Sequence, residues 1–351
     1  VLSLAEDGAT VLFEDLPQDV PGLTRLQERR LQQKALLARL QFAERSDVRK
    51  CPLGKGQVLV GDVESALEMA GIHRESLVDT TGLTFVRRKW ESGRHYFIAN
   101  HGGRMLDQWV PLADASAVVA AMDPMNGAAG LCATRPGADG RTEVYLQLQP
   151  DQSVILRTFS RTGVKGPTWP YWKPVGEPLQ IEGTWKVSFI GGGPELPQPF
   201  ETAQLGSWMR QADPATERFA GTARYTLTFE ASIRNRCCWL DLGKVCQSAR
   251  VRLNGRNLGS LIAPPFRVLV DDLQPKGNEL EVEVTNVAAN RIRDLDRRGV
   301  PWRNFEDINF VNIEYKAFDA SGWPLTDSGL FGPVTLQPLE QFQPVSVGSE
   351  R

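Results

Sequence analysis

Residues 219–290 read FAGTARYTLTFEASIRNRCCWLDLGKVCQSARVRLNGRNLGSLIAPPFRVLVDDLQPKGNELEVEVTNVAAN. Three segments of this stretch alternate with period two. Tyr225, Leu227 and Phe229 fall on one face of the first, with Arg224, Thr226 and Thr228 on the other. Cys238, Leu240 and Leu242 alternate with Trp239 and Asp241, and Leu280, Val282 and Val284 with Glu279, Glu281 and Glu283. Such alternation marks strands with one buried and one wet face, the habit of antiparallel sheets. Between them Val251-Arg252-Leu253 leads into Asn254-Gly255, a pair that accepts the positive φ angles of a type I′ hairpin turn. Lys276-Gly277-Asn278 supplies a further turn. The stretch predicts the centre of a β-sandwich.

Working outward, the N-terminal part has a different texture. Residues 1–8 read as the tail of a helix closed by Gly8, and Ala9 to Phe13 as a short buried strand. From Leu23 to Glu44, leucines with Ala35, Ala38 and Phe42 recur at helical spacing. Gln57 to Val60 reads as a second strand, and Asp62 as the N-cap of a helix running to Ala70-Gly71. Helix, strand, helix, strand, helix is the order of a parallel α/β sheet. Two strands are too few for one, so residues 1–78 are expected to be an incomplete parallel α/β segment. Gly54-Lys55-Gly56 lacks the spacing of a phosphate loop and reads as a turn.

Residues 79–163 predict seven short strands: 83–90, 95–100, 105–112, 116–122, 129–134, 142–149 and 153–159. Close-spaced strands separated by turns such as Asn126-Gly127 fit a small Ig-like β-sandwich. Cys132, within Gly-Leu-Cys-Ala, lacks the second glycine and the strand-to-helix setting of a nucleophile motif. A second sandwich is expected over 164–340, with 341–351 as a tail. It is entered through an aromatic, proline-rich linker, Gly166 to Pro174, and its first strand runs from Gly183 to Phe189. Trp169, Tyr171 and Trp172 are candidates to stack on sugar rings, the competing use being packing between domains. After Asn290 comes the richest polar stretch of the chain, read as a loop from Arg291 to Asn309. Here Trp302, Arg303 and Asn309 are candidate carbohydrate contacts, with Glu306 and Asp307 as candidate metal ligands. A surface network of Arg–Asp pairs is the competing reading. No calcium loop of the EF-hand type is present.

Composition bounds the remaining possibilities. The 351 residues allow two or three domains of about 100–200 residues each. A formal net charge of −2 offers no electrostatic reason to bind nucleic acid or an anionic membrane, and no apolar run spans a bilayer. Five cysteines, none in a CxxC pair, read as small buried hydrophobes. His73, His95 and His101 lack the spacing of zinc ligands. No initiator Met or signal peptide opens the chain, which predicts an internal fragment or a processed product.

The run LDLGKVCQSARVRLNGRNLGSLIAPPFRVLVDDLQPKGNELEVEVTN resembles the galactose-binding-type jelly roll that accompanies the catalytic barrel of many glycoside hydrolases. Its marks are the Asn-Gly hairpin, the Pro-Pro-Phe turn and the final alternating strand. GATVLFEDLPQDVPG with GKGQVLVGDVESAL resembles the end of an amidotransferase-like domain, and RHYFIANHGGRMLDQWVPL a β-domain that links barrel and jelly roll in these enzymes. The ending SGLFGPVTL is similar to that of glycoside hydrolase family 106, the α-L-rhamnosidase type. The resemblance implies calcium-dependent, inverting hydrolysis of α-L-rhamnosides. It also implies a periplasmic or secreted setting. Inversion needs two carboxyl groups about 6.5–9.5 Å apart, which that family carries on a barrel expected to precede Val1. No catalytic residue is therefore assigned to this chain. The expectation is an accessory region of a glycosidase, partnered by an oligosaccharide or glycoside and by a preceding catalytic domain or separate chain. The alternatives are a stand-alone carbohydrate-binding protein or a structural interaction module.

Overall fold

A computed structural model describes residues 1–43, 47–80, 82–137, 140–211, 213–231, 233, 237–303, 315–316 and 318–345. The chain is mainly β and divides into two compact units, Val1–Ser76 and Leu77–Arg351.

The first unit contains α1 (Leu2–Glu6), β1 (Thr10–Phe13), α2 (Leu26–Leu37), β2 (Val48–Leu53), β3 (Gly56–Gly61) and α3 (Val63–Met69). β1 runs parallel to β3, with Thr10 opposite Gln57 and Phe13 opposite Val60. Asp62 caps α3, its carboxylate accepting from the Ser65 amide at 3.0 Å. The sequence reading missed β2, which pairs antiparallel to β3 on the side away from β1. Arg49, Lys50 and Pro52 disguise this strand, whereas its buried Val48 and Cys51 meet Gly61 and Val58. The sheet is thus a mixed one of three strands.

The second unit opens with β4 (Leu83–Trp90), β5 (Gly93–Asn100), β6 (Leu106–Leu112), β7 (Val118–Met122), β8 (Ala129–Leu131), β9 (Thr134–Pro136), β10 (Thr142–Leu148) and β11 (Ser153–Phe159). Strand orders β4-β5-β11-β7-β8 and β6-β10-β9 form two sheets. Their shared core includes Tyr96, Ile98, Val110, Val119, Val144 and Leu156. The single strand expected over 129–134 is broken in two. β8 belongs to the larger sheet and β9 to the smaller, and Cys132-Ala133 carries the chain between them.

The second sandwich comprises β12 (Tyr171–Pro174), β13 (Leu179–Gln180), β14 (Trp185–Gly193), β15 (Phe200–Thr202), α4 (Ala215–Arg218), β16 (Ala220–Phe229), β17 (Cys238–Asp241) and β18 (Lys244–Cys246). β19 (Ser248–Leu253), β20 (Arg256–Leu261), β21 (Arg267–Val270), β22 (Asn278–Thr285), α5 (Ala289–Arg297), β23 (Gly329–Gly332) and β24 (Thr335–Phe342) complete it. One sheet has the order β15-β14-β16-β22-β19-β20, and the other β12-β24-β17-β21 with β13 also on β24. Tyr225, Val282 and Val251 lie side by side across three strands, and Leu227, Leu280 and Leu253 do the same. Their side chains meet Leu240 and Leu336 of the facing sheet in one core. Asn254 and Gly255, at φ 52° and 78°, make the expected type I′ turn between β19 and β20.

One residue of the expected wet face is buried. Glu283 is 8% exposed because Arg224 of β16 and Arg250 of β19 flank it in register. Arg224 and Arg250 approach its carboxylate at 2.7 and 3.3 Å, and Arg252 at 3.7 Å.

Candidate functional site

The sequence pointed to two aromatic groups, and they sit in different surroundings. Residues 166–174 do not form a free linker. The Leu131 amide donates to Pro167 O at 2.7 Å, and the Trp169 amide donates to Leu131 O at 2.9 Å. Gly130 permits this approach, since a Cβ there would stand 2.7 Å from the Trp169 nitrogen. Trp169 is half-buried against the core of the first sandwich.

Tyr171, expected as a sugar-stacking ring, is fully buried and presents no face to a ligand. Its hydroxyl accepts from the Ala133 amide at 2.9 Å and donates to Tyr145 O at 3.2 Å. Its ring meets Tyr145 edge-on at 5.3 Å and lies 6.1 Å from Phe342. Burial, with the Cys132 thiol alongside, drives its phenol pKa far above the ordinary value. Trp172 is half-buried, and its strand pairs with Gln341 of β24. Tyr171 and Phe342 therefore join the outer face of the first sandwich to the edge of the second. This segment is a brace.

The second group is a platform built around α5. The sequence predicts a loop over residues 291–298, where six charged side chains surround Ile292 and Leu295. The helix is held instead by polar side chains. On one side Asp294 pairs with Arg291 at 2.8 Å and with Arg298 at 3.4 Å. On another, residues at spacings of three and four reach across to the segment 318–326. Asn290, 2% exposed, donates to Thr326 O at 2.8 Å and accepts from the Thr326 amide at 2.7 Å. Arg293 Nε donates to Trp323 O and Arg297 Nε to Ser321 O, at 2.7 and 2.8 Å.

Asp296 is the hub, and sequence reading did not single it out from the Arg–Asp run. Its Oδ1 accepts from Trp302 Nε1 at 2.6 Å, and its Oδ2 from the Ala320 amide at 2.8 Å. Arg303 lies 3.3 Å from the same carboxylate and donates to Phe318 O at 2.7 Å. Burial acts to raise the Asp296 pKa, but the Ala320 amide, the Trp302 indole and the Arg303 charge outweigh it. The carboxyl is held below the usual range. Above it Trp302, Phe318 and Trp323 form a row of edge-to-face rings, with centroids 5.9 and 5.5 Å apart. Trp323 is 38% exposed. The platform thus places the predicted Trp302 and Arg303 together and adds Asp296, Phe318 and Trp323.

Asn309, Glu306 and Asp307 lie outside the described residues. The described acids of the platform do not suit calcium. Both Asp296 oxygens accept N–H bonds, Asp294 serves two arginines, and Asp319 Oδ1 accepts from the Ser321 amide. Among the described residues no cluster of three His, Cys, Asp or Glu side chains is arranged to hold a metal. The platform sets three rings beside a guanidinium that Asp296 and Phe318 O already engage.

No family model matches the sequence. A Formosa agariphila protein named "Putative beta-glucuronidase" is 33% identical over 188 residues, which cover 48% of this chain and 16% of that protein. The solved rhamnosidase from Novosphingobium sp. PP1Y superposes with a TM-score of 0.67 at 26% identity, over 96% of this chain. The chain is glycoside hydrolase-like. It spans 31% of that rhamnosidase chain and 16% of the Formosa relative, so it corresponds to part of each. No described helix is long and apolar enough to cross a membrane.

Proposed function

We propose that the chain is an accessory β-domain region of a glycoside hydrolase acting on rhamnose-containing glycans, of the family 106 type. In this reading the catalytic barrel lies outside the chain. The observation that carries it is the match to the Novosphingobium rhamnosidase across 96% of this chain but only 31% of the larger enzyme. The neutralised acids of the platform support it, since inverting hydrolysis needs one proton-donating and one water-activating carboxyl. Asp294 and Asp296 are instead committed to arginines and amides. The galactose-binding-like sandwich braces the enzyme, and its Trp302–Phe318–Trp323 row borders the glycan-binding surface. Calcium dependence belongs to the complete enzyme.

The test is hydrolysis of p-nitrophenyl α-L-rhamnoside by this chain alone and by a longer protein in which a (β/α)₈ barrel precedes it, each with calcium and with chelator. Turnover is expected from the longer protein only, reduced by chelation. Turnover by the isolated chain would overturn the reading, as would a longer protein that cleaves β-glucuronides and not rhamnosides.

A further inference from the structure

A recess lies on the second sandwich. It is a cleft of about 220 Å³ whose lining includes Phe200, Gln204, Leu205, Arg210, Gln211 and Tyr225. Its chemistry is one-sided. Among the described lining residues the only charge is the Arg210 guanidinium, and no acid lines the cleft. The Gln204 and Gln211 amides supply neutral hydrogen-bonding groups, the Thr202, Ser207 and Tyr225 hydroxyls being already bonded to the backbone, and the Phe200 ring and Leu205 supply apolar surface. Amides that donate and accept, beside one ring and one exposed cation, suit a polyhydroxylated ring carrying an anionic group.

The walls are held in place. Arg210 and Gln211 follow Trp208, which is fully buried against Phe189 and Phe219 at 5.5 and 6.0 Å. The Trp208 amide donates to Ser328 O at 3.0 Å, and the Gln211 amide to Trp208 O at 3.1 Å. Thr202 Oγ1 donates to Gln204 O at 2.7 Å, which fixes the turn beyond β15. At the floor the buried Tyr225 hydroxyl accepts from the Leu330 amide at 3.2 Å. Met209, in the same short turn as Arg210, touches Asn290 of α5 at 3.1 Å, so cleft and platform share one wall. The backbone of the walls is thus held, and ordering on binding falls on the exposed Arg210 side chain.

We propose that this cleft is a binding subsite for a single acidic sugar residue, a uronate, whose carboxylate pairs with Arg210. The volume, about 220 Å³, admits one ring. The assignment rests on the reading of the chain as part of a glycan-processing enzyme, but its test does not. Glucuronate, galacturonate, glucose and glucose 6-sulfate are each titrated into this chain and followed by amide NMR shifts. The expected result is saturable binding of a uronate, with glucose weaker by about 3-fold or more, since solvent partly screens an exposed guanidinium–carboxylate pair. Arg210→Ala removes that preference, and Arg210→Lys restores part of it. Lys276→Ala, on the exposed turn before β22, leaves uronate affinity unchanged. Equal binding of glucose and both uronates, tighter binding of glucose 6-sulfate, an unaffected Arg210→Ala variant, or no saturation at all would each overturn the proposal. Because this reads binding by the chain itself, its failure leaves rhamnoside hydrolysis by the longer protein untouched, and the converse holds.

Discussion

The side-chain amide of Gln147 closes a two-way hydrogen-bonded ring on the backbone of Trp172. Its Nε2 donates to Trp172 O at 3.0 Å, and its Oε1 accepts from the Trp172 amide at 2.9 Å. One side chain thereby imitates a neighbouring strand and ties the first sandwich to the first strand of the second. Replacing it with Ala leaves two partly buried backbone groups without their partner. Gln147→Ala is expected to cost about 1–3 kcal/mol in urea denaturation. Gln147→Glu loses the donating half and meets the Trp172 carbonyl with a carboxylate oxygen, so it should fare no better. A Gln147→Ala variant as stable as the parent would remove the amide from the account of the brace.

Tyr171→Phe isolates the next contact along the brace. The ring packing against Tyr145 and Phe342 is kept, while the Ala133 amide loses its acceptor. A loss of about 1–2 kcal/mol is expected, read from thermal or urea unfolding. An unchanged midpoint would mean that solvent reaches Ala133 and replaces the hydroxyl.

Asp296 makes the platform sensitive to acid. Its folded-state pKa lies below that of an unfolded aspartate, about 3.9. Its contribution is therefore fully present above that unfolded value and is lost as pH falls through the folded one. Asp296→Asn should flatten this acid limb in denaturation measured from pH 7 downward. At neutral pH it should also shift Trp302 fluorescence, because an amide cannot accept from the Trp302 indole, the Ala320 amide and Arg303 together. An Asn variant with the parent's acid limb would assign that limb to other carboxylates.

Glu283 stands among three guanidinium groups on the sheet face. The hydrogen bond from Arg224 is the leading cause of its lowered pKa. Glu283→Gln removes one of the two carboxylates that separate the arginines, leaving Glu281 to pair with Arg224 and Arg252 but not with Arg250. It is expected to destabilise by about 1–3 kcal/mol, with part of the loss recovered in high salt as the arginines are screened. Salt-independent destabilisation would point to packing alone.

Cys132 is expected to be inert. Burial is the main reason its thiol is pushed up to about 12, despite a hydrogen bond with the Tyr171 hydroxyl that acts the other way. At pH 8 in the folded chain a disulfide reagent should leave Cys132 unmodified, and peptide mapping after denaturation should find it free. Rapid labelling of Cys132 in the native chain would contradict its burial beside Tyr171.

Much of the second sandwich was legible in residues 219–290 alone. Alternation of Tyr225, Leu227 and Phe229 and of Leu280, Val282 and Val284 reports a backbone period that neighbours do not alter. Asn254-Gly255 reports a local φ preference, and Asp62 a local cap. Each is a property of a few consecutive residues, so the sequence carries it in full. What the tertiary structure decided are relations between distant residues. β2 escaped notice because only its place beside β3 buries Val48 and Cys51. α5 escaped because its support comes from carbonyls 24 and 30 residues away, at Ser321 and Trp323. Glu283 was read as wet until Arg224 and Arg250 were brought to its flanks. Tyr171 and Trp302, alike in sequence as aromatic residues near prolines, were separated only by folding: the first is sealed between two sandwiches, the second stands over Asp296 at the surface. Periodicity tells which face of an element is apolar, but not what will come to cover it.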